Sequence, residues 1–357
     1  MVKRIGILTG GGDCPGLNAV IRAITRVSII DYNLEIIGIL DGFEGAVEGH
    51  SKKLTFEDVA NILPLGGTIL GTSNKANPFD YRLNGRSGDQ TERMLENLDQ
   101  WKIDALCCIG GDGTLTMSNK LRELFPNIVG IPKTIDNDLE ATDQTFGFDT
   151  ACNFVAESID RIHSTAQSHH RVMVIEVMGR YAGWIALKGG MAGGGDIILI
   201  PELPFSYEKI IEAIGERRKR GKRFSIIIVS EGAHPQNSSF VVRKTVKDSP
   251  DPIRLGGVGQ LLADEIEKIT GIESRVTVLG HLQRGGSPSF YDRILATCYG
   301  AKAAQLLHQG KFGKMVSLKG TEINAVDLSK AVCKLKTVSP DNELLKIARS
   351  LGTSFGI

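Results

Sequence analysis

The sequence lacks any apolar run approaching the ~20 residues that span a bilayer, so no membrane segment is expected. It also lacks an excess of charge. Its 42 Lys and Arg against 41 Asp and Glu leave a formal net charge of +1, which argues against a dedicated nucleic-acid binder or an acidic tail. The six cysteines (Cys14, Cys107, Cys108, Cys152, Cys298 and Cys333) show no C-x-x-C pair and no metal-ligand spacing, so reduced structural thiols are expected. Cys107 and Cys108 fall inside an apolar run, where a thiol acts as a small hydrophobe. Cys14, in a glycine loop, is the one candidate for reactivity. No repeat of solenoid period and no low-complexity linker is visible. Met1-Val-Lys-Arg leads directly into a strand pattern, which leaves no room for a signal peptide, and a cytoplasmic location is expected.

At 357 residues the chain exceeds the ~250–300 residues at which single cores stop growing, so two domains are expected. Apolar runs at residues 2–9, 34–40, 104–109, 127–131, 172–177, 196–200, 224–229 and 275–279 read as strands. Their near-continuous Val, Ile and Leu content implies burial on both faces, as in parallel sheets covered by helices. Amphipathic segments at 17–30, 114–124, 150–165, 207–220, 259–269 and 292–308 read as the intervening helices. This alternation implies a doubly wound α/β fold, in which ligands sit beyond the carboxyl ends of the strands. A domain boundary is expected near residues 146–149.

Three strand ends carry glycine and aspartate. The first is Ile5-Gly-Ile-Leu-Thr-Gly-Gly-Gly-Asp-Cys-Pro-Gly16, where glycines let backbone N–H groups approach an anion at a helix N-terminus. Its spacing fits neither G-x-G-x-x-G nor the Walker G-x-x-x-x-G-K-[ST], and H-R-D and D-F-G are absent too. A dinucleotide enzyme, a P-loop NTPase and a protein kinase are therefore disfavoured.

The second end is Ala105-Leu-Cys-Cys-Ile-Gly-Gly-Asp-Gly-Thr114. Asp112, set among glycines, can hold Mg2+ while neighbouring N–H groups hold phosphate oxygens. The plain alternative is a helix N-cap by Asp112 or Thr114. The third is Ile131-Pro-Lys-Thr-Ile-Asp-Asn-Asp138. On an extended exit Asp136 and Asp138 point to opposite sides, which suggests different tasks. A carboxylate there can take the proton of an acceptor hydroxyl as its bond to phosphorus forms; the plain alternative is an Asx-turn. Together the three exits suggest one crevice that handles phosphate, a cation and a proton, which is kinase chemistry.

At this point the chain resembles the 6-phosphofructokinase family, glycolytic enzymes that phosphorylate the 1-hydroxyl of fructose 6-phosphate. The signatures, in family order, begin with Thr9-Gly-Gly-Gly-Asp13, Gly66-Gly-Thr-Ile-Leu-Gly71, Gly110-Gly-Asp-Gly-Thr114 and Thr134-Ile-Asp-Asn-Asp138. They continue with Arg171, Glu176-Val-Met-Gly-Arg180, Ser230-Glu231, Thr277-Val-Leu-Gly280 and His281-Leu-Gln-Arg-Gly-Gly286. The resemblance implies two doubly wound α/β domains of phosphofructokinase type with the active site in the cleft between them. Residues 1–146 plus about 283–333 would bind ATP and Mg2+, and 147–282 plus about 334–357 would bind fructose 6-phosphate.

The resemblance further implies that Asp136 is the general base, with Asp138, Thr134 and Arg180 in the catalytic set, and that Asp112 serves Mg2+. Gly11, Gly12, Asn74, Lys75, Gly111, Gly113 and Thr114 would line the donor phosphates. Thr134, Ile135, Asp136, Met178, Gly179 and Arg180 would hold the sugar phosphate, joined by Glu231, His281, Leu282, Gln283 and Arg284. Arg171 and Arg275 match arginines that reach the 6-phosphate from a neighbouring subunit, which suits arginine's fork. A homo-oligomer follows, a dimer at least and a tetramer by family expectation, with no nucleic-acid or membrane partner. The plain alternatives are a satisfied core histidine for His281 and a strand-start surface charge for Arg171.

Two departures bear on the donor. Where ATP-using members carry an arginine after the Gly66–Gly71 turn, this chain has Asn74-Lys75, and Lys75 is the candidate for that charge. Lys133 stands where many ATP-using members carry glycine and resembles the pyrophosphate users. Gly113, however, keeps the ATP-type side, where pyrophosphate users carry an aspartate that opposes a nucleotide. ATP is the expected donor and pyrophosphate the alternative, a combination similar to the mixed group of the family. An inactive sugar-phosphate sensor is disfavoured because both Asp136 and Asp112 are present. The basic run Arg217-Arg-Lys-Arg-Gly-Lys-Arg223 has no interleaved aromatics and reads as a solvated helix end. Its second reading is half of a phosphate effector pocket with Arg22 and Arg26, in which His163 replaces an expected arginine.

Overall fold

The first sheet is laid down by Arg4–Thr9 (β1), Glu35–Ile39 (β2), Ser51–Leu54 (β3), Ala105–Gly110 (β4) and Ile128–Pro132 (β5), with glycine and aspartate following β1, β2 and β4. The computed structural model describes residues 2–236, 242–245 and 253–357. Helices Leu17–Tyr32 (α1), Phe43–Glu48 (α2), Thr91–Gln100 (α3) and Asp112–Leu121 (α4) connect these strands. A second sheet is built from Val172–Val177 (β6), Ile197–Leu199 (β7) and Ser225–Ser230 (β8), with helices Phe148–His169 (α5), Trp184–Ala192 (α6) and Tyr207–Lys219 (α7). A two-stranded ribbon of Val242–Thr245 (β9) and Ile253–Leu255 (β10) precedes Val258–Thr270 (α8) and Ser274–Val278 (β11). Phe290–His308 (α9) then carries the chain back to the first sheet, where it adds Lys314–Lys319 (β12) and Glu322–Asp327 (β13). Leu328–Ala331 (α10) and Glu343–Ser350 (α11) follow.

The first sheet has the order β13-β12-β5-β4-β1-β2-β3 and the second β11-β6-β8-β7. Neighbours are parallel except at both edges of the first sheet, where β3 and β13 run antiparallel. Every strand and helix expected from the sequence is present, with ends shifted by a few residues. The edge strands and the interior β12 escaped the apolar criterion because Ser-Lys-Lys-Leu, Glu-Ile-Asn-Ala-Val-Asp and Lys-Met-Val-Ser-Leu-Lys carry polar and charged side chains, which at the edges suits exposure to water.

Both faces of the first sheet are covered. Ile7, Cys107, Ile109 and Val129 enter a core shared with α1, α5 and α9, while Leu8, Leu106, Cys108 and Ile128 enter a separate core with Met94 and Leu98 of α3. The second sheet repeats this: Ile175, Val177, Ile226 and Ile228 join the first of those cores, and Val174, Ile227 and Val229 face α7 and α8. One continuous core therefore lies between the two sheets, and alternation along each buried strand decides which layer a residue enters. The terminal segment returns to the second sheet, where Ser354 bridges Ile197. All six cysteines are free. Burial pushes the Cys14 thiol up to about 12, which leaves it protonated and unreactive. Among the described residues no helix is long and apolar enough to cross a membrane.

Candidate active site

Register brings the three aspartate-bearing exits together. Thr9 lies beside Ile109, and Gly110 beside Pro132, so β1, β4 and β5 end at one level. Gly10 N–H donates to the Ile109 carbonyl at 2.9 Å, and Lys133 N–H to the Gly110 carbonyl at 2.9 Å. Thr114, buried, is tucked between them: a Cβ on Gly10 would come within 2.6 Å of its Oγ1, and one on Gly110 would collide with it. Only glycine permits this approach. The N-cap of α4 is Gly111, with no side-chain cap hydrogen bond. The capping alternative for Asp112 and Thr114 therefore fails.

A cavity of about 400 Å³ opens above these exits. Gly11, Gly12, Gly111, Asp112, Gly113 and Thr114 form one wall, and Lys133, Thr134, Ile135, Asp136 and Arg284 another. The third wall is the loop carrying Ser73, Asn74, Ala76 and Asn77. The segment leading into that loop is held by Asn18 of α1. The Asn18 amide donates to the carbonyls of Leu65 and Gly66 and accepts from Ile69 N–H at 2.8 Å. Gly11 N–H donates to the Ser73 carbonyl at 3.1 Å, and Thr72 Oγ1 donates to the Gly11 carbonyl at 2.7 Å. A Cβ on Gly113 would meet no heavy atom within 4 Å, so this wall is open where an obstructing side chain would stand.

Asp136 and Asp112 line the same cavity. Asp136 Oδ1 is buried and has no hydrogen-bond partner among the described residues. Burial, then the Asp138 charge, push the Asp136 carboxyl up to about 7, against the pull of Arg284 and Lys133. Burial also raises Asp112 and Asp138, whose Oδ1 is likewise buried without a partner. The strand does not continue extended to Asp138, as the sequence reading had it. Asn137 adopts a left-handed conformation at φ 52°, which Asn tolerates better than other side chains. The alternation argument thus fails, and Asp138 is not among the residues lining the cavity.

Lys133 is buried, and its ammonium donates to the Gly12 carbonyl. Burial lowers its pKa. The Arg284 guanidinium packs against Gly12, where a Cβ would collide with it, and its charge stabilises both the Asp136 and the Glu231 carboxylates.

Glu231 belongs to the second sheet. Register sets Val177 beside Ser230, so Met178, Gly179, Arg180 and Glu231 leave adjacent strands together. Glu231 N–H donates to the Val177 carbonyl at 2.8 Å, and the Ser230 hydroxyl donates to the Gly179 carbonyl. Burial, then the neighbouring Glu176, raise the Glu231 carboxyl to about 7. Arg180 stacks on Tyr181 at 4.7 Å. His281, Leu282, Gln283 and Arg284 form a 3-10 turn after β11. His281 is exposed, so it is not a core histidine, whereas Gln283 is buried and donates to the Gly280 carbonyl.

Arg171 and Arg275 lie at the other end of this sheet. Arg171 precedes β6, and Arg275 sits beside Met173. At ~3.3 Å per residue this is roughly 20 Å from Met178. Both pair with Glu273, Arg171 at 2.7 Å, so within one chain neither joins the cavity. Lys75 is exposed and also absent from its walls. In the basic run, Arg217 pairs with Asp196 at 2.6 Å beside the second sheet, while Arg26 stacks over Phe56 at 3.9 Å on the first. The residues overlooked in the sequence are Asp13, Ser73, Ala76, Asn77, Thr116 and Met117. Asp13 belongs to the first glycine motif; the others follow motifs at loop and helix positions without a chemical signature of their own.

Three comparisons bear on this geometry. A family model described as phosphofructokinase matches residues 4–307. An ATP-dependent 6-phosphofructokinase 2 of Clostridium perfringens is 51% identical over 99% of this chain and 98% of its own length. A pyrophosphate–fructose 6-phosphate 1-phosphotransferase of Amycolatopsis methanolica is also 51% identical, over 95% of this chain and 97% of its own. A solved phosphofructokinase from Pichia pastoris superposes with a TM-score of 0.80 at 33% identity, over 93% of this chain and 35% of that longer one. With a family match across most of its length and relatives about half identical from end to end, the chain belongs to the phosphofructokinase family.

Proposed function

We propose that this chain is an enzyme that transfers the terminal phosphoryl group of ATP to the 1-hydroxyl of fructose 6-phosphate, giving fructose 1,6-bisphosphate and ADP. One observation carries the reading: a half-buried carboxylate of raised pKa, Asp136, shares a cavity with Asp112 and with the glycine-lined exits of β1 and β4. Asp136 accepts the proton of the sugar 1-hydroxyl as that oxygen bonds to phosphorus, and returns it to solvent afterwards. Backbone N–H groups at Gly12, Gly111 and Gly113 hold the donor phosphates, and Gly11, whose N–H is held by the Ser73 carbonyl, lines the site beside them. Thr134, Asp138 and Arg180 complete the catalytic set, and Lys133 supplies fixed positive charge beneath the phosphates.

The residues fit Mg2+. No group of three or more His, Cys, Asp or Glu that could hold a metal occurs among the described residues, and Mg2+ is usually held by one or two carboxylates together with substrate phosphates. Asp112 would be that carboxylate. When bound, the ion neutralises charge on the transferring phosphoryl group.

Met178, Gly179, Arg180, Glu231, His281, Leu282, Gln283 and Arg284 hold the sugar phosphate from the second sheet. Arg171 and Arg275 complete a neighbouring subunit's site, which accounts for their distance from the cavity in their own chain and calls for a homodimer at least. In this reading the donor domain is residues 1–146 plus about 283–333, the sugar domain is 147–282 plus about 334–357, and the enzyme works in the cytoplasm.

Relatives of equal identity carry both donor names, so the site decides. The open wall at Gly113 favours ATP, and the test is a coupled assay of fructose 6-phosphate with ATP and with pyrophosphate side by side. ATP should give the higher kcat/KM. Turnover with pyrophosphate alone would reverse the donor assignment.

The raised pKa fixes the pH dependence. A general base works deprotonated, and burial has moved Asp136 upward, so activity should fall as pH drops through about 7. For an ordinary carboxylate the fall would come near ~4. Asp138, Arg284, Glu231 and Lys133 are the charges acting on it. A kcat/KM profile flat down to pH 5 would remove Asp136 from the role of base.

A further inference from the structure

The segment after α10 runs against the Asp136–Asp138 exit, and one side chain in it has no place in the mechanism above. The Lys336 ammonium donates to Asn137 Oδ1 at 2.9 Å, to the Thr142 carbonyl at 2.9 Å and to the Asp143 carbonyl at 3.1 Å. Its three donors are thus all used. The Lys336 backbone N–H donates to the Asp138 carbonyl at 2.8 Å, and its carbonyl accepts from Trp184 Nε1 at 2.8 Å. Leu335 bridges Leu139. Asn137 is the left-handed residue between the two aspartates, and its Oδ1 also accepts from Thr145 N–H at 3.1 Å. Asp136 Oδ1 has no hydrogen-bond partner among the described residues, so no side-chain bond fixes that oxygen and the backbone of the exit bears on its aim.

We propose that Lys336 is a positioning residue for phosphoryl transfer: by tying Asn137 to the 142–143 turn it fixes the loop that points Asp136 into the cavity. This rests on the reading of Asp136 as the general base. An ammonium kept away from water is costly unless its donors are satisfied. Burial lowers the Lys336 pKa to about 8, partly offset by Asp138 and Asp143. A displacement of ~1 Å at a catalytic group can cost ~10²-fold in rate, so the effect belongs in kcat and not in substrate binding.

The test is steady-state kinetics of the full chain. Lys336→Met should lose about 30- to 100-fold in kcat while KM for fructose 6-phosphate and for ATP stays within about threefold. Lys336→Cys should lose as much and regain at least about a third of the parent kcat after aminoethylation with 2-bromoethylamine, which rebuilds an ammonium of nearly the same length. The parent treated identically controls for the exposed Cys333. Should Lys336→Met melt below the assay temperature, Asn137→Gly is read in the same way, because glycine accepts the left-handed φ and removes the acceptor. A kcat within threefold of the parent, or a loss that aminoethylation does not restore, overturns the proposal. A parent inactive on every donor removes the proposed function and this inference with it, whereas an active parent with an indifferent Lys336→Met removes the inference alone.

Discussion

Asp136→Asn is expected to lower kcat by roughly 10²–10⁴-fold, the usual worth of a positioned general base, while KM for fructose 6-phosphate changes by no more than a fewfold. The amide keeps the size of the carboxyl but cannot take a proton. Binding survives because Arg180, Glu231 and Arg284, which are read as holding the sugar phosphate, are untouched. The same variant should be more stable at pH 8. Burial raises the folded-state pKa of Asp136 to about 7 from an ordinary value of 3.8. The stability this group contributes is therefore fully present below the ordinary value and is lost as pH rises through about 7. Above that, the fold carries an ionised, partly unpaired carboxylate near Asp138. Replacing it should raise stability by at least about 1 kcal/mol, one pKa unit being worth about 1.4, read as a higher Tm at pH 8 and little change at pH 4. Such a gain in stability with loss of activity is what a site under electrostatic strain produces. Near-parental turnover, or a lower Tm at pH 8, would contradict the account of Asp136.

Gly113→Asp should change the donor and leave the chemistry. A Cβ at Gly113 meets nothing within 4 Å, so an aspartate fits without disturbing α4, and its carboxylate reaches into the cavity beside Asp112. A nucleotide must bring its α-phosphate past that wall; pyrophosphate has none. Juxtaposed like charges in a confined site cost several kcal/mol, so kcat/KM for ATP should fall by about 10²–10³-fold, with pyrophosphate-dependent turnover unchanged or increased. Assay of both donors on parent and variant reads this directly. If ATP turnover survives, the open wall is not what admits the nucleotide, and donor choice lies with Lys133 or the Asn74 loop.

The sequence shows the layers and the chemistry, and it conceals what depends on distant contacts. Buried parallel strands announce themselves where the run is wholly apolar, as at Ala105–Gly110, whose two cysteines enter different cores, whereas β12, with Ser317 inside and a lysine at each end, does not. Glycines at Gly10 and Gly110 announce the exits because Thr114 needs their missing side chains. The edge strands β3 and β13 carry no such pattern, since water covers what a neighbour would. The turn at Asn137 inverted a local argument: alternation presumes extended backbone, and one left-handed residue cancels it. Lys336 was beyond reach altogether, being 199 residues from the asparagine it holds, a contact that no local spacing encodes. For Arg171 and Arg275 only the family resemblance pointed to a neighbouring subunit; the geometry adds that they sit at the far end of their own sheet.

The most direct measurement is a crystal structure with fructose 6-phosphate, Mg2+ and a non-hydrolysable ATP analogue. The 1-hydroxyl oxygen should lie within about 3 Å of an Asp136 carboxylate oxygen, with the ion on the Asp112 side of the same cavity and the analogue's terminal phosphate between them. A sugar that turns a different hydroxyl toward Asp136, or an ion bound in a cavity that Asp112 does not reach, would contradict it.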